Sequence, residues 1–258
     1  MAKRVNSRFL IVLFAVIGLI IAAGAAVFLK TRHPPEYYIA KGDKALETGD
    51  YNTAISEYGK ALNKDRGRTE LYVKIGDLYN RLVVQDRAYL GKAHGMWRAA
   101  EDIDPTYKPA LDRLLDLEIE QVKYGYTDPE LFNELRGTAE LEHRVDPKDE
   151  RAASYFHIAT LHQWMFGAAF PAAQVDEHVK ALDEMARQDP SNADAGYYAS
   201  VAQLKRARNL KLDRKQEKAY AMFDQVVARH TALSQARPRD PAVQMRAYQA
   251  FSLVHDLD

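Results

Sequence analysis

Hydrophobic and polar positions follow two different patterns along the chain. From Phe9 to Leu29, 21 consecutive residues carry no charge. At about 1.5 Å per residue, a helix of that length spans a hydrocarbon core roughly 30 Å thick. After residue 35, apolar residues recur at helical spacing, as in Leu111, Leu114 and Leu115, without the alternation that is typical of strands. The pattern predicts one apolar N-terminal helix followed by a series of amphipathic helices.

A repeated motif organises the beginning of the amphipathic part. Gly42 and Gly76 are 34 residues apart, and each follows a tyrosine by four residues. The second helix of each copy places small residues around one aromatic residue: Ala54, Tyr58 and Ala61, then Ala93, Trp97 and Ala100. Small residues let two antiparallel helices approach closely, and Gly49-Asp50-Tyr51 supplies a turn between them. The 34-residue interval is typical of stacked helix pairs.

These positions, with Pro105 after the second copy, resemble the pattern of the tetratricopeptide repeat (TPR) family. The resemblance is strong over 35–68 and stretched over 69–107, because the second copy has five more residues between its glycine and its first alanine. With the apolar segment, the expected fold class is all-α. It comprises a right-handed α-solenoid of about five helix-turn-helix (TPR-like) repeats preceded by a single transmembrane helix.

Asp-Pro pairs mark further helix boundaries from the end of the second copy onward. They occur at Asp104-Pro105, Asp146-Pro147, Asp189-Pro190 and Asp240-Pro241. Each aspartate is expected to cap a helix that begins at the proline. The predicted helices are 107–124, 128–144, 149–166, 171–187, 192–209 and 213–236, with a further helix at 241–256. The predicted order is a basic tail (1–8), the transmembrane segment (9–29), a linker (30–35) and a repeat domain (36–258), whose repeats are 35–68, 69–107, 108–149, 150–192, 193–243 and an incomplete sixth from 244.

The charges around the apolar segment predict its orientation. Three basic residues precede it and two follow closely, which favours a cytoplasmic N terminus and an extracytoplasmic repeat domain, periplasmic in a bacterium. We therefore expect a single-pass membrane protein that contacts the bilayer through 9–29. A cleaved signal peptide is the alternative, with Ala23-Gly24-Ala25 as the cleavage site, but the apolar run to Leu29 favours an uncleaved signal anchor. The chain lacks cysteine, so its redox compartment stays open.

The TPR resemblance implies a ligand groove lined by the first helix of each pair. The candidate partner-binding residues are Ile39, Asp43, Glu47, Val73, Asp77, Asn80, Asp112, Asp116, Glu120, Ile158, His162 and Tyr197. The earlier positions are rich in carboxylates and predict a basic segment as the partner, although the same carboxylates could simply solvate a helix face. The later positions are apolar and aromatic, which is typical of a binding patch or of a surface that further repeats cover. The helix at 241–256 lacks a second helix, which predicts self-association at the C-terminal end or a longer parent chain.

Charge and motifs exclude several function classes. The net charge is zero, which argues against nucleic acid as a ligand, and a basic run at 205–218 is interpreted as a solvated turn, with contact to anionic lipid or nucleic acid as the alternative. No phosphate-binding loop, nucleophile elbow or dinucleotide fingerprint occurs in the sequence. The histidine spacing does not fit a metal site on one helix face. The sequence therefore predicts no enzyme activity, no cofactor and no metal.

Together these features predict a membrane-anchored scaffold or adaptor that binds other proteins or peptides through a TPR groove, in an envelope-associated assembly. The alternative is the non-catalytic targeting or regulatory N-terminal part of a larger membrane-associated enzyme.

Overall fold

The computed structural model describes residues 13–23, 33–190, 192–212 and 215–257. These ranges are mostly helical and contain no strand, so the described chain is all-α as expected. Residues 13–23 form α1. The later helices are α2 (Pro35–Glu47), α3 (Tyr51–Leu62), α4 (Thr69–Leu82), α5 (Ala88–Ile103), α6 (Lys108–Lys123), α7 (Pro129–Val145), α8 (Glu150–Met165), α9 (Ala172–Gln188), α10 (Ala193–Leu212), α11 (Gln216–Ala236) and α12 (Pro241–Leu257).

The chain divides into an N-terminal unit, Met1–Ala99, and a C-terminal unit, Ala100–Asp258. In the N-terminal unit, α2 packs against α3 across the predicted turn. Gly49 adopts a φ of 76°, a left-handed conformation that glycine reaches without strain. The Asp50 side chain then caps α3 by accepting a hydrogen bond from the Thr53 amide at 3.0 Å.

The two repeat glycines of the N-terminal unit lie directly under aromatic rings. A Cβ atom added at Gly42 would be 2.5 Å from Cε1 of Tyr58, and one added at Gly76 would be 2.6 Å from Cδ1 of Trp97. Both rings are buried, with at most 2% of their surface exposed. The close approach of paired helices that the sequence predicts is therefore present at both glycines.

In the C-terminal unit, successive helices from α6 to α12 pack against one another, and α10 also contacts both α8 and α12. The alternate helices α8, α10 and α12 therefore form a continuous row. One apolar core runs from Leu115 to Ala202 and a second gathers residues of α10, α11 and α12 around Phe223. This row carries the candidate site.

The Asp-Pro prediction holds at one of its four positions. Asp240 caps α12, which begins at the following proline. At Asp104 and Asp146, the aspartate also accepts a hydrogen bond from the amide two residues on, but the helix begins later, so these pairs form turns. The α10 helix likewise begins at Ala193, three residues after the third pair.

The predicted single-pass membrane location is wrong, and the predicted transmembrane helix is not supported. Within the described ranges, no helix combines the length and the apolar character that a membrane crossing requires. Of the apolar segment, the structure describes residues 13–23, which are helical. Residues 9–12 and 24–29 of the predicted span lie outside the described residues, as does the predicted tail at 1–8. The predictions that depended on the transmembrane helix are no longer supported: the bilayer contact, the membrane orientation and the envelope-associated assembly.

Candidate functional site

A cavity of about 450 Å³ opens along the row of α8, α10 and α12 in the C-terminal unit. We refer to it as the α10–α12 pocket. On α10 and α12 the lining residues recur every three or four positions, so one face of each helix lines it. The lining residues are Val122, Gly125, Tyr126, Thr127, His162, Met165, Phe166, Tyr197, Tyr198, Val201, Leu204, Lys205, Arg208, Arg246, Gln249 and Leu253.

His162 forms part of the aromatic wall of the pocket. Its ring is stacked on Phe132, with 3.4 Å between ring centroids, and on Phe166, with 4.4 Å. Neither ring nitrogen has a hydrogen-bond partner among the described residues. Burial lowers the pKa of His162 to about 4, because the charged ring would lose its hydration. At neutral pH, His162 is therefore an uncharged aromatic surface.

Arg246 brings a buried charge to the pocket from α12. Its side chain is 5% exposed and forms an ion pair with Asp194 at 2.7 Å. Asp194 also accepts a hydrogen bond from the Tyr155 hydroxyl at 2.6 Å, and the guanidinium lies over the rings of Tyr197 and Tyr198 at 4.8 and 5.6 Å. This network joins α8, α10 and α12, and the carboxylate offsets the charge of Arg246.

Two further cations lie on α10, one helical turn apart. The ammonium of Lys205 donates to the carbonyl oxygens of Trp164 and Met165, each at 2.8 Å, where the C-terminal end of α8 is partly negative. Burial lowers the pKa of Lys205. Arg208 is exposed and makes no ion pair with the described residues. None of the described lining residues is acidic, so the pocket combines an apolar interior with a positive edge.

Most of the carboxylates predicted to form an acidic strip already have a partner within the protein. Asp43 accepts hydrogen bonds from the Tyr58 hydroxyl at 2.6 Å and from Lys74 at 3.0 Å, and the tyrosine bond is the main reason that its pKa is lowered. The others divide between paired and exposed residues: Asp112 pairs with Lys108, Asp116 pairs with Arg151, Asp77 takes part in a polar interaction, and Glu47 and Glu120 are exposed. The basic partner expected for them stays a prediction.

The remaining predicted groove residues differ in accessibility. Val73 and Ile158 are core residues, with 7% and 0% of their surface exposed, and Ile39 packs against the core of the N-terminal unit. Asn80 is exposed. His162 and Tyr197 alone among the twelve predicted residues line the α10–α12 pocket.

Sequence reasoning missed the contribution of α12 to the pocket. The spacing of Arg246, Gln249 and Leu253 places them on one helix face, and the helix itself was predicted, so that face could have been proposed. The partner of Arg246 could not, because Asp194 is 52 residues away and no local motif links the two. Phe166 lies just beyond α8, where helical periodicity no longer applies.

Three carboxylates elsewhere in the C-terminal unit lie close enough to suggest a metal site. One oxygen from each of Asp112, Glu142 and Asp149 lies within 4.8 Å of the others. The Lys108 ammonium contacts Glu142 at 2.5 Å and Asp112 at 3.0 Å, and Arg151 contacts Asp149 at 2.8 Å. Because these two cations already pair with all three carboxylates, the cluster fits an ion-pair network better than a metal centre.

The comparisons with known proteins concern the fold. No family model and no curated protein matches the chain. Among solved structures, the chain is similar to YrrB, described as a TPR protein with an unusual peptide-binding site, at 19% identity and a TM-score of 0.51, covering 88% of this chain and 97% of YrrB. MamA gives 15% identity and a TM-score of 0.44 with 80% and 95% covered. The TPR domain of P58(IPK) gives 15% and 0.33 with 86% and 56% covered. The chain has a TPR-like helical fold.

Proposed function

We propose that the chain is a non-catalytic interaction protein that holds a peptide segment of a partner protein in the α10–α12 pocket. The observation that carries this proposal is the pocket itself, a concave, largely apolar surface with a few charged groups at defined positions. Its volume of about 450 Å³ lies in the range of ligand sites, roughly 300–1,000 Å³. YrrB, which is described as having a peptide-binding site, is consistent with this use of the fold.

The polar groups around the pocket support binding rather than catalysis. Arg246 is committed to Asp194, and Lys205 is committed to the end of α8. Among the described residues, none makes an orienting hydrogen bond to the His162 ring, and the pKa of the ring is not near neutral. A general base needs both. These groups shape and charge a surface, as a peptide site requires.

The test is selection of peptides from a random displayed library against the full 258-residue chain. Val201 lies on the pocket face of α10, so Val201→Trp should fill the pocket and weaken binding of the selected peptides by at least about tenfold, the loss expected for a well-packed contact. Leu253→Trp, which approaches from α12, should do the same.

The matched control is Asn209→Trp, which adds the same side chain at an exposed position of α10 outside the pocket lining. It should leave peptide affinity unchanged, and circular dichroism should show all three variants to be helical. Equal binding by wild type and both pocket-filling variants would show that peptides bind elsewhere.

A further inference from the structure

We infer that the partner segment is acidic and aromatic, with a bulky apolar side chain in the α10–α12 pocket and flanking carboxylates at its positive edge. This inference rests on the proposed function and adds the chemistry of the ligand. It differs from the partner expected from the sequence, which was a basic segment held by carboxylates.

The charge of the pocket favours an acidic ligand. Three cations line the pocket, and none of the described residues that line it is acidic. Asp194 balances Arg246 from the buried side, which leaves Lys205 and Arg208 on α10. Since Arg208 is exposed and makes no ion pair with the described residues, a ligand carboxylate can reach it with little loss of existing contacts.

The interior of the pocket favours an aromatic or large aliphatic side chain. Its walls include Leu204, Val201, Tyr197 and the neutral, stacked ring of His162. Aromatic side chains gain from burial and from edge or stacked contacts with such rings. A fully charged ligand would leave this apolar surface uncovered, and a purely apolar one would leave Arg208 without a counter-charge.

A lysine- or arginine-rich segment fits the pocket poorly. Its cations would approach Lys205 and Arg208 without a carboxylate to receive them, and like charges at an interface disfavour the wrong partner. The acidic positions predicted from the sequence lie elsewhere, and Asp112 and Asp116 already pair with Lys108 and Arg151.

The experiment measures fluorescence anisotropy of four labelled pentapeptides with blocked termini, so that no terminal carboxylate contributes. The central residue is phenylalanine in three, flanked on both sides by glutamate, glutamine or lysine, and the fourth has alanine between glutamates. The glutamate-phenylalanine probe should bind the full chain about tenfold more tightly than the other three, and increasing salt should weaken it.

Charge variants locate the ligand carboxylates. Arg208→Glu should weaken the glutamate-phenylalanine probe by about tenfold or more and improve the lysine-phenylalanine probe. Arg208→Lys keeps the charge and should stay within about threefold of wild type. The control is Arg239→Glu, the same charge change at an exposed position outside the pocket, which should change nothing beyond the small effect of net charge.

The outcomes separate this inference from the proposed function. If the three phenylalanine probes bind equally and Val201→Trp abolishes their binding, the acidic preference is wrong and the peptide site stands. If library-selected peptides bind the pocket while none of the four probes does, the inference is again wrong alone. Dodecanoate serves as a small amphipathic anion for comparison. If it binds, if Arg208→Glu weakens its binding, and if no peptide binds, the pocket takes a small amphipathic anion and both proposals are overturned.

Discussion

The two units stabilise their helix pairs by different means. In the N-terminal unit, Gly42 and Gly76 let Tyr58 and Trp97 pack directly onto the neighbouring backbone. The C-terminal unit has no such contact at its described glycines, and it buries polar side chains instead. Among the described residues, Glu57 is the one buried polar or charged side chain of the N-terminal unit, whereas the C-terminal unit buries histidines, carboxylates and Arg246.

This difference shows how one helical plan can close a helix pair at some contacts and leave space at others. The N-terminal unit also has a cavity, of about 630 Å³, but it lies between α3, α4 and α5 and is not lined by Gly42 or Gly76. Glycine and an aromatic ring leave no space between two helices. Buried polar groups cost free energy unless they are paired, but a pair such as Asp194 and Arg246 fixes its helices at a defined position. The α10–α12 pocket lies beside that pair. Variants and pH changes in either unit can test the contrast, because hydrogen exchange by mass spectrometry reports on each unit separately.

The largest expected effect is acid destabilisation confined to the C-terminal unit. Burial lowers the pKa of His157, His162 and His230 from 6.5 to about 4, so the unfolded chain takes up protons first as the pH falls. The contribution of these uncharged, buried rings to the free energy of unfolding is therefore complete above pH 6.5 and is lost as the pH falls from 6.5 to 4. We expect the free energy of unfolding of this unit to fall by on the order of 5 kcal/mol by pH 4.5.

The N-terminal unit provides the contrast in the same samples. The pKa of Asp43 is lowered from 3.8, so its contribution is lost only below about pH 4. His162→Phe is the matched variant, since the ring is stacked and its nitrogens have no partner among the described residues. It should remove part of the pH dependence, because His157, His178 and His230 keep their lowered pKa values. Equal acid sensitivity in both units would contradict the contrast.

The second effect concerns the buried ion pair. Asp194→Ala would leave the guanidinium of Arg246, which is 5% exposed, and the Tyr155 hydroxyl without their partner. Removing one member of a buried pair costs about 3–5 kcal/mol. We expect that loss in urea unfolding of the C-terminal unit, together with faster exchange in α12.

The control for the ion pair is Glu184→Ala, which breaks the exposed pair with Arg187 in the same unit. Exposed pairs contribute at most about 1 kcal/mol, so this change should be small. If the two variants are destabilised equally, burial is not what makes the Asp194–Arg246 pair important.

The parts of the fold that follow from local pattern could be predicted, and the parts that depend on distant contacts could not. The predicted helices 107–124 and 128–144 are close to α6 and α7, because apolar residues at helical spacing and Pro129 after Asp128 are local signals. At Asp104 and Asp146, the aspartate accepts from the amide two residues on without starting a helix at the proline. Asp128 and Asp240 accept the same bond at the start of a helix, so the Asp-Pro pair by itself does not distinguish a turn from a cap. His162 and Tyr197 were predicted as groove residues from the resemblance to the TPR family. Arg246 depends on a carboxylate from another helix, which no spacing rule identifies.

The smallest effect tests the glycine contacts of the N-terminal unit. Gly42→Ala places a methyl group 2.5 Å from a carbon of the fully buried Tyr58 ring, so the ring or the helix must move, at a cost of about 1–3 kcal/mol. Gly59→Ala in α3 and Gly137→Ala in α7 are the controls, since an added Cβ at either position meets no atom of the described residues within 4 Å. In a helix interior, each control should stabilise its unit by about 0.5–1 kcal/mol. The sign of the change, read from urea unfolding, decides the matter, because stabilisation by Gly42→Ala would mean that the close approach of α2 and α3 does not limit what that position can hold.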